Sequence, residues 1–191
     1  MKYIVFVLTL TCATLAAAAE DNKTDTTPVL TPDELKTYPF ADREKAKAPV
    51  IKELSVGQQF ILSKDRRDVK SLIARHLGIM ALRGDKSDLD TIQQIYDRKI
   101  LKDNQVKEWQ SVGVVFGDIL ANEYGLHWVS YEDEQGVSTA LQWGNTQNFV
   151  FPVTALSKRL QFGEKIDTHA LYDKFSQDIK AFIAYENKIK R

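Results

Sequence analysis

The spacing of apolar residues changes character along the chain, and each change predicts an element. From Leu54 onward, Phe60, Ile61, Val69, Leu72, Ile73, Leu77 and Met80 recur at three- and four-residue intervals, with Lys, Arg and Asp between them. That is the period of an amphipathic helix, and it predicts one ending near Gly84. Leu89, Ile92, Ile95 and Tyr96 form a shorter stripe behind Asp85 or Ser87, either of which can cap a second helix. A third helix, capped by Asp103 or Asn104, carries Val106, Trp109, Val112, Phe116, Ile119 and Leu120. Val114 and Val115 make it apolar on more than one side, so it is predicted to be the most buried helix. Gly113 and Gly117, four apart, point to close approach by a neighbouring helix or strand, and Gly125 suits the left-handed residue that ends a helix.

The period then falls to two. Leu126–Glu132 is rich in β-branched and aromatic residues, 133–136 supplies a polar turn ending in glycine, and Val137, Thr139, Leu141 and Trp143 alternate with Ser138, Ala140, Gln142 and Gly144. This is a hairpin with one buried face. A turn at 144–146 leads to a short third strand, Asn148 to Phe151, which Pro152 terminates because it has no N–H for the ladder. Val153–Leu160 is expected to turn helical, and Asp167 or Thr168 caps a last helix striped with Leu171, Phe175, Ile179, Phe182 and Ile183. The expected fold class is α+β: a small antiparallel three-stranded meander packed against about four helices.

Composition adds the ends of the chain. Lys2, an apolar run from Tyr3 to Leu15, and Ala17, Ala18 and Ala19 have the form of a signal peptide cleaved after Ala19, which implies export, most simply to a bacterial periplasm with an extracellular destination as the alternative. Removal of residues 1–19 takes away Cys12, the single cysteine, and leaves a domain that stands on its core without a disulfide. Residues 20–53 read as a flexible or loosely packed tether, and 54–191 as a single domain. With 26 basic and 26 acidic residues in all, the chain has no surplus charge that would suit nucleic acid or an anionic membrane.

Candidate chemistry is sparse. His76, His127 and His169 fall in no metal-ligand spacing, and no nucleophile elbow or phosphate-cradling glycine loop occurs, so neither a metal nor a cofactor is expected. Glu123 lies on the helical face of Val112, Phe116 and Ile119, where partial desolvation would prepare a general acid or base. Pairing with a basic side chain near the helix end is the competing expectation. Asp118 should point the other way into solvent. The acidic turn Glu132, Asp133 and Glu134 is expected to be a solvated hairpin tip. Trp128, Tyr131 and Trp143 are either cross-strand core aromatics or, on an uncovered sheet face, a surface for a peptide or sugar, and Asn145 sits in the turn beside them.

The run GDILANEYGLHWVSYEDEQG followed by NFVFPVTALSKR, with LRGD at Leu82 to Asp85, resembles a bacterial family known only as domain of unknown function thirty-eight-oh-six. The resemblance spans about residues 60–175. It implies one bacterial domain and carries no catalytic residue. The leading expectation is therefore an exported, non-enzymatic binding or interaction domain that meets a protein, a peptide or a cell-wall component, with Glu123, Trp128, Tyr131, Trp143 and Asn145 as contacts. A small hydrolase using Glu123 and a second carboxylate such as Asp118 or Asp133 is the alternative, recognisable by a separation of roughly 5 to 10 Å between the two across a cleft. An immunity-type inhibitor of a secreted toxin is a third reading.

Overall fold

The computed structural model describes Thr31 and residues 48–189. The expected leader, its cleavage site after Ala19 and most of the tether lie outside the described residues. Residues 48–189 belong to one compact unit.

The first strand, β1, is Val50–Glu53, and helix α1 follows at Val56–Leu77. Ser55 opens α1 with a capping box: its hydroxyl accepts from the Gln58 N–H at 3.3 Å, and the Gln58 side chain accepts from the Ser55 N–H at 2.9 Å. Two orphan donors are satisfied at once. The buried line of α1 runs through Leu62, Val69 and Ile73, whereas Phe60 and Ile61, expected in the stripe, are exposed. The helix also stops earlier than expected. Gly78 adopts φ 70° and its N–H returns to the Ala74 carbonyl, so the backbone turns away six residues before Gly84. The apolar pattern continues because Ile79 and Leu82 pack on the core from a non-helical connection.

Helix α2 is Asp88–Asp97 and α3 is Val106–Tyr124. None of the residues expected to cap them accepts a bond from its helix on its side chain. Asp85 instead accepts from the Ser87 N–H at 2.8 Å, and Asp88 reaches back to the N–H groups of Arg83 and Gly84 at 3.1 and 2.6 Å. Helix α3 is the centre of the molecule: Trp109, Val112, Val114, Phe116, Ile119 and Leu120 have no exposed surface. Each such side chain contributes roughly 1.5–3 kcal/mol by leaving water. Trp109 is accommodated because its indole N–H donates to the Lys102 carbonyl at 3.0 Å.

Gly125, at φ 64°, passes α3 directly into strand β2, Leu126–Asp133, which pairs with β3, Gly136–Trp143, and β3 with β4, Phe149–Val150. The sheet is antiparallel in the order β1-β2-β3-β4. It has four strands, one more than expected. The additional strand comes from a segment assigned to the tether: Ile51 faces Tyr131 and Lys52 faces Ser130 across β2. Four residues with no clean alternation give little strand signal, and their partner lies far along the chain. With α4, Ala155–Gln161, and α5, Thr168–Ile189, there are five helices among the described residues where about four were expected. Asp167 caps α5, its carboxylate accepting from the Ala170 N–H at 2.9 Å.

The two glycines of α3 sit where the fold is tightest. A Cβ on Gly113 would collide with the carbonyl of Val153, and one on Gly117 with the Trp128 ring at 2.6 Å and Pro152 at 2.7 Å. The sheet and the Pro152 turn therefore rest directly on the backbone of α3.

Candidate functional site

Strand alternation sorts the candidate aromatics onto two faces. Trp128, whose ring lies over Gly117, and Trp143, diagonal to it across the Trp128–Leu141 and Leu126–Trp143 pairs, are on the face turned to α3 and pack against the core. Tyr131 is on the other face. There Phe149 and Phe151 meet it edge to face, both with ring centroids at 5.1 Å. Phe151 is 38% exposed, while Val129 and Ala140 on the same face are buried. Of the two expectations for the aromatics, core packing describes Trp128 and Trp143, whereas Tyr131 lies on the opposite sheet face. Tyr131's companions there, Phe149 and Phe151, come from β4 and the residue after it. Their i, i+2 spacing was the available signal. Asn145 is exposed in its turn, and Asn148 bridges to Glu186 of α5 at 2.8 Å.

Glu123 ends on the surface, its carboxylate 3.6 Å from the Lys86 ammonium. That is the basic partner expected at the helix end. Asp118, expected in solvent, is instead half-buried and fully engaged. Arg66 of α1 donates to both carboxylate oxygens, at 2.6 and 2.7 Å, and the Trp128 indole N–H donates to Oδ1 at 2.9 Å. These bonds hold the Arg66 pKa above its ordinary value against the burial that lowers it. One carboxylate thereby ties α1, α3 and β2 together. In the acidic turn, Glu132 is paired with Lys52 at 3.0 Å, and Asp133 accepts from the Gln135 N–H.

Two concavities flank this staple. The larger, about 700 Å³, lies between α1 and α3 over Leu62, Val69 and Val114, with Asp65, Asp68 and Lys107 at its rim. Asp65 accepts from the Ser111 hydroxyl there at 3.0 Å. The smaller, about 350 Å³, opens between α1, the 81–84 connection and α3, and Arg66, Lys70, Arg83, Asp88, Asp118 and Asn122 line it. Elsewhere a chain of hydroxyls joins α3 to α5, with Tyr124 and Ser176 at 2.5 Å and Tyr172 donating to Tyr124 at 3.4 Å. Burial, then the bond to Tyr124, pushes the Tyr172 pKa up. For Tyr124, burial also acts upward, but the bonds to Ser176 and Tyr172 and the charges of Lys180 and Lys86 outweigh it and the pKa falls. Ser176 is buried in the helix interface, and the pair holds α3 to α5. Among the described residues, no cluster of three or more His, Cys, Asp or Glu side chains is arranged to hold a metal, and no helix is long and apolar enough to cross a membrane.

Residues 88–172 match the family model described as Domain of unknown function (DUF3806). The DUF3806 match runs from α2 into the first turns of α5 and contains Asp118, Trp128 and the aromatic cluster. It begins after Arg66 and after the LRGD run, so it is shorter than the stretch over which the sequence resembles the family. No curated protein matches the chain. A solved crystal structure from Bacteroides thetaiotaomicron VPI-5482 superposes with a TM-score of 0.60 at 18% identity, over 69% of this chain and 48% of that one. The likeness is one of fold, and this chain spans about half the length of that structure.

Proposed function

We propose that the protein is an exported, non-enzymatic binding domain that docks a protein or peptide partner on the sheet face turned away from α3. One observation carries the reading. Tyr131, Phe149 and Phe151 form an edge-to-face cluster on a rigid antiparallel sheet, with Phe151 38% exposed at its rim. Rigid aromatics presented at low entropic cost are what peptide- and protein-binding surfaces use as anchors. The N-terminal sequence supports delivery across a membrane by a cleaved leader.

The charge arrangement favours this over hydrolysis. Glu123 is bridged to Lys86 at the surface, and Asp118 is paired with the Arg66 cation and accepts a hydrogen bond from the Trp128 indole. Asp118 shares the smaller cavity with Asp88, but both carboxylates are occupied, Asp118 by Arg66 and the Trp128 indole and Asp88 by the N–H groups of Arg83 and Gly84, which argues against their serving as a glycosidase-type acid and base.

Photo-crosslinking tests the surface. A benzoylphenylalanine in place of Phe151 should give a discrete adduct in cells, and the same group in place of exposed Asn187 on α5 should not. Equal labelling from both positions would contradict the proposal. Export is checked by fractionation and by N-terminal sequencing of the periplasmic form, which should begin at Glu20.

A further inference from the structure

From the smaller cavity we infer a binding site for a small organic anion, a carboxylate or a phosphate, independent of the aromatic sheet face. Three cations, Arg66, Lys70 and Arg83, line this cavity against two carboxylates, Asp88 and Asp118. Both carboxylates are already satisfied. Asp118 accepts three bonds from Arg66 and Trp128, and Asp88, 5% exposed, accepts from the N–H groups of Arg83 and Gly84. The cations are not. Arg66 uses Nε and one Nη2 hydrogen on Asp118, leaving the Nη1 edge of its five-donor fork undirected. Among the described residues, Lys70 and Arg83 have no ion-pair partner within 4.0 Å.

The site is also preorganised. The bidentate grip of Asp118 fixes the plane of the Arg66 guanidinium, so little side-chain entropy remains to be lost when a ligand arrives. Lys70 lies one helical turn beyond Arg66 on the same face of α1. Asn122, whose amide nitrogen donates to the Gly84 carbonyl at 3.0 Å, holds the connection that carries Arg83 against α3. Leu82 and buried Val115 give the cavity an apolar wall. An anion with a short aliphatic portion matches both the charge and the wall, and 350 Å³ admits a ligand of that size.

Trp128 supplies the readout, because its indole N–H is bonded to the same carboxylate that holds Arg66. The experiment titrates the ¹⁵N-labelled chain with sodium phosphate and, separately, sodium propionate, at ionic strength held constant with sodium chloride. The Trp128 indole resonance should move saturably with at least one of them below about 50 mM, the range of a weak single-anion site. Saturation by phosphate, by propionate or by both names the ligand chemistry. Lys70→Ala and Arg83→Ala, both at exposed positions, should each weaken binding about tenfold, and Phe151→Asp should leave it unchanged. The inference is overturned if the resonance stays put with both anions, or if the Lys70→Ala, Arg83→Ala double variant titrates like the parent.

Discussion

Arg66 and Asp118, 52 positions apart, meet in a two-bonded fork at 2.6 and 2.7 Å, and the Trp128 indole shares the same carboxylate. Their side chains are 38% and 24% exposed, so solvent screening trims the pair well below a fully buried one. Asp118→Ala should cost about 2 kcal/mol, since it strands both a guanidinium and an indole N–H. Arg66→Ala should cost slightly less, and the double variant should show a coupling of about 1 kcal/mol. Urea denaturation of the four proteins measures the cycle. Strict additivity would mean the fork contributes nothing.

Gly113 and Gly117 should tolerate no side chain. Gly113→Ala drives a methyl into the Val153 backbone, which cannot rotate away, and should lose about 2–3 kcal/mol. Gly117→Ala meets the Trp128 ring, so it should lose less overall but displace the indole from Asp118. Thermal melts give the order, and the Trp128 indole resonance reports the displacement.

Tyr172 predicts a change in the alkaline limb of stability. Burial keeps its phenol neutral in the fold, so the contribution is complete below the unfolded tyrosine value of about 10 and is lost as pH rises above it. Tyr124 acts with the opposite sign, because its lowered pKa favours the ionised form in the fold. Tyr172→Phe should therefore lose less stability than the parent between pH 9 and pH 11, as read from urea midpoints at each pH. Parallel curves for the two proteins would contradict the assignment.

Glu123→Gln should leave stability within about 0.5 kcal/mol of the parent, because an ion pair this exposed is heavily screened. A larger loss in chemical denaturation would show that Glu123 has a role beyond its contact with Lys86.

Much of the architecture could be read directly. Helix α3 is legible because Val114 and Val115 make it apolar on more than one side, and its glycine pair because two missing side chains one turn apart suit a close neighbour. The hairpin was legible from period-two alternation and its turn. What escaped depended on distant partners. Strand β1 is four residues that become a strand only by pairing with β2. Helix α1 ends at Gly78 although apolar residues continue past it. Periodicity sends Asp118 away from the Val112, Phe116 and Ile119 stripe and so into solvent, but it gives a direction and not a neighbour. Arg66 arrives there from another helix. The aromatic surface was half legible: alternation assigns Tyr131 to the face opposite Trp128, whereas the edge-to-face contacts of Phe149 and Phe151 follow from strand register.

The central claim is that the Tyr131–Phe149–Phe151 face holds a partner, and differential capture tests it most directly. Immobilised parent chain and the Phe151→Asp variant are exposed to the same periplasmic extract, with bound proteins quantified by isotope-ratio mass spectrometry and both baits verified as folded by circular dichroism. The account predicts one or a few proteins depleted at least tenfold on the variant while the background is unchanged. Equal recovery of every bound protein on the two baits would contradict it.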